Sequence, residues 1–134
     1  MSENLENEEL IFKLNMFEQQ VKQLQQQIRA IEQSIVELNS LHLELDEINE
    51  GKGKEILASV GRGIFVKAKL LSGELIVDVG GRNFVKKNVS ETKQIIEEQI
   101  NKLNEVKESL RDNLDKVSED IQKVLGEAQE RKGR

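Results

Sequence analysis

The sequence predicts a mainly α fold with a small β segment, in which two long helices pair as an antiparallel coiled-coil hairpin and are joined by two β-hairpins. Three observations predict it. Each flank of the chain carries an apolar stripe at heptad spacing, glycine is concentrated in the middle, and the middle is built of short Ile/Val/Phe runs separated by glycine turns.

The first flank covers residues 5–50. Leu10, Leu14, Phe17, Val21, Leu24, Ile28, Ile31, Ile35, Leu38, His42 and Leu45 fall alternately three and four apart, on the a and d positions of a heptad. Ten of these 11 are apolar, where an apolar fraction of 37% would supply roughly four by chance. Gln, Glu, Lys and Asn fill the intervening positions, as on the solvated side of a coiled coil. The second flank, 89–130, repeats the pattern with Ile96, Ile100, Leu103, Lys107, Leu110, Leu114, Val117, Ile121, Val124 and Ala128, nine of ten apolar. Ser90 is a candidate N-cap for this helix, and Asn88 with Glu91 three residues on is a competing capping box. Neither stripe is buried by its own helix, so each needs the other.

Residues 51–88 return the chain. Seven of nine glycines lie between Gly51 and Gly81, whereas the two flanks hold only Gly126. The runs EILASV, GIFVKAKL, LIVDVG and NFVKKN read as strands, and Gly61-Arg62-Gly63, Ser72-Gly73-Glu74 and Gly80-Gly81-Arg82 read as turns between them. Two consecutive hairpins is the simplest count. Such a unit leaves strand edges unpaired, and small isolated sheets are marginal, so the segment is expected to be an oligomerisation module. Ile64, Val66 and Ala68 share one face, opposite Phe65, Lys67 and Lys69. Leu75, Val77 and Val79 share another, opposite Ile76 and Asp78; Phe84 and Val85 lie in the last strand. These apolar residues are the candidate assembly surface, with a four-stranded cap on a monomeric hairpin as the plain alternative. Lys67, Lys69, Arg82, Lys86 and Lys87 make the segment locally basic, which suits either an acidic patch on a partner or a solvated face that resists aggregation.

Composition excludes much else. The chain of 134 residues is read as one domain, 1–134. Aromatic residues are 3% against 34% charged, which suits long helices burying a narrow stripe better than a broad core. Without cysteine there is no disulfide, thiolate nucleophile or Cys-based zinc site. The net charge of −5 argues against a nucleic-acid binder. No apolar run approaches the length of a membrane span, and the acidic start MSENLENEEL has the wrong sign for a targeting peptide, so a cytoplasmic protein is expected. A single histidine lacks co-ligands for a metal, and His42 and Lys107 read as polar seam residues that set register. Gly51-Lys52-Gly53-Lys54 lacks the spacing and the Ser/Thr of a phosphate loop and reads as a flexible joint. No converging carboxylates, nucleophile or nucleotide motif mark an enzyme, and no cofactor is expected.

The order long helix, two β-hairpins, long helix resembles the α class of prefoldin, archaeal members most closely. ILASVGRGIFVKAKL looks like that family's first hairpin, and ELIVDVGGRNFVKKNVSE is similar to its second hairpin and the entry to the C-terminal helix. The specific match covers about residues 55–91. Many α subunits have Pro in the first strand and Gly-Tyr in the second hairpin, where this chain has Ala58-Ser59 and Arg82-Asn83-Phe84. The resemblance implies a hexamer of two α and four β-class subunits, with the α hairpins at the centre of a double β-barrel. It also implies an ATP-independent holdase that binds unfolded proteins and delivers them to a group II chaperonin.

The heptad letters then locate candidate contacts for such clients. With Leu10 at d, Ile11 is e, Phe12 is f and Met16 is c; Leu125 is e on the second helix. Phe12 and Met16 are i, i+4 neighbours on an outward face that usually bears charge. Ile11, Phe12, Met16 and Leu125 are therefore the candidate client-binding residues. The bland reading has Phe12 and Met16 merely wrapping the seam at a helix end. Two rivals to the holdase are a structural coiled coil whose β modules polymerise into filaments, and a transcription-associated coiled-coil binder.

Overall fold

The computed structural model describes residues 2–132, with the side chains of residues 2, 3, 49, 50, 131 and 132 left out. The element order is helix α1 (Ser2–Glu50), strands β1 (Glu55–Gly61), β2 (Ile64–Lys69), β3 (Leu75–Asp78) and β4 (Phe84–Lys87), and helix α2 (Val89–Lys132). The helices extend a few residues beyond the expected 5–50 and 89–130. All eleven seam positions read on α1, and all ten on α2, are buried or half-buried. The heptad pattern therefore locates the covered stripe of both helices.

The chain divides into two compact units, one of residues 1–34 with 103–134 and one of residues 35–102. In the first, Ile28 is buried, and Glu32 of α1 lies 3.9 Å from Lys107 Nζ and 3.4 Å from Arg111 Nη2 of α2. In the second, Leu45, Val89 and Ile96 form a buried cluster against which Leu38, Ile48, Leu75 and Ile100 pack. There Asp46 is ion-paired with Lys93, and four residues back along α1 His42 meets Glu97, four residues on along α2. Equal steps in opposite directions are the mark of antiparallel helices. Each half-buried Leu or Ile along such a seam contributes on the order of 1 kcal/mol, so stability is spread along the stripe rather than held in one core.

Both polar seam residues have an acid partner from the opposite helix. His42 Nε2 is 2.9 Å from Glu97 Oε1, and Lys107 faces Glu32. His42 and Lys107 both occupy a positions, and both acids sit at e positions next to a seam residue. This is how a coiled coil tolerates a polar residue in its seam while marking its alignment.

The middle forms two separate two-stranded antiparallel sheets, β1–β2 and β3–β4. In the first, Ile56 pairs with Ala68, Leu57 with Lys67 and Ala58 with Val66, and the register shifts between Ser59 and Gly61. Arg62 and Gly63 close it with φ of 51° and 77°; positive φ at both central residues is the type I′ pattern that matches strand twist. In the second, Leu75 pairs with Lys87, Ile76 with Lys86, Val77 with Val85 and Asp78 with Phe84. Its turn runs from Gly80 to Asn83, whose N–H donates to the Gly80 carbonyl at 3.1 Å, with Gly81 and Arg82 again at positive φ.

Val79, just past the assigned end of β3, is exposed and still donates its N–H across the hairpin to the Asn83 carbonyl at 2.9 Å. The Asp78 carboxylate accepts from the Gly80 N–H at 2.9 Å and Gly80 takes a φ of 126°, which starts the turn directly after Val79. Two local readings of the sequence are revised. Asn88 rather than Ser90 caps α2, its Oδ1 accepting from the Glu91 N–H at 2.7 Å. The Gly51–Lys54 segment is a closed turn rather than a loose joint. Lys54 N–H donates to Gly51, Gly53 N–H to Leu70, and Leu70 N–H to Lys54, at 2.8, 2.8 and 3.0 Å.

Candidate functional site

Besides Val36, Leu41, Leu43 and Val106 on the helices, exposed apolar side chains gather on two surfaces. The first is on the helices of the unit formed by residues 1–34 and 103–134. Phe12 is 65% exposed, Ile11 58%, Met16 47% and Leu125 44%, whereas the neighbouring seam residues Leu10, Leu14 and Val124 are half-buried. Moving outward from the Glu32–Lys107 pair by equal steps, from 32 to 14 and from 107 to 125, brings Leu125 level with Leu14, between Phe12 and Met16. Phe12 and Met16 of α1 and Leu125 of α2 thus lie at about one level. Leu5, which the heptad reading passed over, is 62% exposed and belongs with them. It stands at the f position one heptad before Phe12, so the signal lay in the same letters.

The second surface is the hairpins. One face of β3–β4 contributes to the helix unit: Leu75 packs on the Leu45, Val89 and Ile96 cluster, and Val77 is half-buried. The opposite face, with Ile76 and Phe84, is exposed, and so is Val85 at the margin. On β1–β2, Ile56, Ala58 and Ala68 are half-buried, while Ile64, Phe65 and Val66 are exposed. Leu57, Val60 and Leu71, absent from the sequence-based list, are exposed as well. Each two-stranded sheet also leaves the outer edge of both its strands unpaired by another strand. Apolar surface beside open edges is the physical requirement for strand-mediated association.

Among the described residues no group of three His, Cys, Asp or Glu side chains is placed to hold a metal, and no helix is long and apolar enough to cross a membrane. The buried polar group Thr92 is satisfied, donating its hydroxyl to the Asn88 carbonyl at 2.8 Å.

Comparison with known proteins agrees with this architecture. The family model described as Prefoldin subunit matches residues 10–134, so the chain belongs to the prefoldin family of chaperone subunits. It is 30% identical over 117 residues to Prefoldin subunit alpha of Methanobrevibacter smithii, an alignment covering 87% of this chain and 75% of that one. It is 28% identical over 132 residues to Prefoldin subunit alpha of Methanococcus vannielii, covering 98% and 88%. Within the family it is an α-class prefoldin, as its two hairpins and these archaeal relatives agree. In fold it is similar to a chain of the filamentous PFD from Methanocaldococcus jannaschii, with a TM-score of 0.76, 22% identity, and coverage of 86% of this chain and 97% of that one.

Proposed function

We propose that this chain is a subunit of an ATP-independent holdase that captures unfolded polypeptides on the apolar residues Ile11, Phe12, Met16 and Leu125 and passes them to a group II chaperonin. The exposure of Phe12 and Met16 on the outward side of a coiled coil carries this reading. Two large flexible or aromatic side chains one helical turn apart form a surface that accepts many sequences. Several copies of that surface in one assembly gain avidity from individually weak contacts, with no nucleotide needed. The hairpins supply the assembly, through Ile64, Phe65, Val66, Ala68, Ile76, Val79, Phe84 and Val85, in a hexamer of two such chains with four β-class subunits. Leu75 and Val77 support it from the inner face of their hairpin.

The test replaces Phe12 and Met16 with Ser and measures suppression of aggregation of a denatured client without ATP. The variant hexamer is expected to form normally and to lose most of its protective effect. Full protection by an intact variant hexamer would reject the role of these residues. A second reading, a filament of this chain alone, draws on the same open strand edges, which propagate as readily as they close. Native mass with and without a β-class subunit separates the two.

A further inference from the structure

Oxidisable sulfur is scarce in this chain. There is no cysteine, and the two methionines are Met1, which lies outside the described residues, and Met16. No seam position of α1 or α2 and none of the four strands carries a methionine; Leu, Ile, Val, Phe and Ala supply the apolar surface there. Trp and Tyr are absent as well, so no indole or phenol competes for an oxidant.

Met16 is exposed, on the outward side of α1 and one helical turn from the exposed Phe12. Its neighbours Leu14 and Phe17 are half-buried and form the covered stripe. The Met16 side chain is therefore open to a dissolved oxidant and takes no part in the packing between the helices. A peroxide converts a thioether to a sulfoxide. The sulfur lone pair attacks one peroxide oxygen, the O–O bond breaks, an S–O bond forms, and the other oxygen leaves as water; sulfur is oxidised and the peroxide reduced. The product is polar. On a bare helix surface water solvates it. Beneath an apolar client segment its oxygen loses that water and gains no donor, which is unfavourable. A client that covers Phe12 meets Met16 as well, because the two are i, i+4 neighbours.

We infer that Met16 is an oxidation site, at which a peroxide weakens the hold on unfolded polypeptides while leaving the seam and the hairpins as they are. A dithiol reductant reverses the change, taking the oxygen away as water and becoming a disulfide. This rests on the reading of Ile11, Phe12, Met16 and Leu125 as the client surface and adds its regulation.

The experiment treats the chain, assembled with a β-class subunit, with hydrogen peroxide. A Met16→Leu assembly is treated alongside, since Leu is apolar and inert to peroxide. Peptide mass reports oxygen on Met16, native mass reports assembly, and protection of a denatured client is compared with the same preparation before treatment. The unmodified assembly is expected to gain one oxygen on the Met16 peptide, to keep its native mass and to lose protection severalfold. Protection is expected to return with methionine sulfoxide reductases and dithiothreitol, whereas the Met16→Leu assembly loses none. The reversal on reduction needs only the unmodified chain. Equal loss in both assemblies would place the damage elsewhere and overturn the inference, as would a Met16 that stays reduced where free methionine is oxidised. Complete oxidation with undiminished protection would also overturn it. The Phe12 and Met16 double Ser variant then separates the two readings: its loss of protection leaves the client surface standing, and its full protection removes that as well.

Discussion

His42 Nε2 lies 2.9 Å from Glu97 Oε1, a half-buried seam residue held by an acid of the opposite helix. Glu97 stays more than half exposed, so this contact aligns the helices without isolating a charge. Replacing His42 with Leu is expected to raise stability by about 1 kcal/mol, since an apolar a residue fills the seam and Glu97 keeps its water. Lys107→Leu should act likewise, because Glu32 retains Arg111 at 3.4 Å. Thermal unfolding checks both. A fall in Tm would show that the polar pairs stabilise more than they cost.

Two glycines predict opposite outcomes for the same substitution. A Cβ at Gly51 would lie 2.8 Å from the Glu47 carbonyl oxygen and 3.2 Å from Leu70 Cδ1. Gly51→Ala should therefore destabilise by about 1–3 kcal/mol through backbone displacement. Gly126 lies inside α2 with nothing within 4 Å of an added Cβ. Gly126→Ala should stabilise by about 1 kcal/mol through helix propensity. Urea titrations of the two variants should shift their midpoints in opposite directions.

Asn88 caps α2 through the Glu91 N–H, so Asn88→Ala should cost about 1 kcal/mol, while Ser90→Ala should change stability little. Hydrogen exchange at Glu91 is the sensitive measurement. Faster exchange in the Ser90 variant alone would reverse the assignment of the cap.

Leu5 stands one heptad before Phe12 and is equally exposed. If the holdase reading is right, Leu5→Ser should weaken client protection severalfold, with unchanged assembly mass. A Val36→Ser control, also at an exposed apolar position on α1 but outside the proposed client surface, should leave protection unaltered. Equal losses in both variants would show that general surface hydrophobicity, not this group of residues, holds clients.

The seam was legible because a residue's place in a heptad follows from counting alone, and every counted position is covered. The outward positions of Phe12 and Met16 were legible for the same reason. The closed turn at Gly51–Lys54 was hidden because its partner, Leu70, lies beyond an entire hairpin.

By itself the sequence determined the two helical stripes, the four strands and the turns that reverse them, because periodicity and positive φ are properties of neighbouring residues. Only the tertiary structure decided that Leu75 rests on Leu45, Val89 and Ile96 while Ile76 faces outward, and which acids answer His42 and Lys107. Those outcomes depend on surfaces brought together from distant parts of the chain, where packing rather than local preference selects the face that is covered.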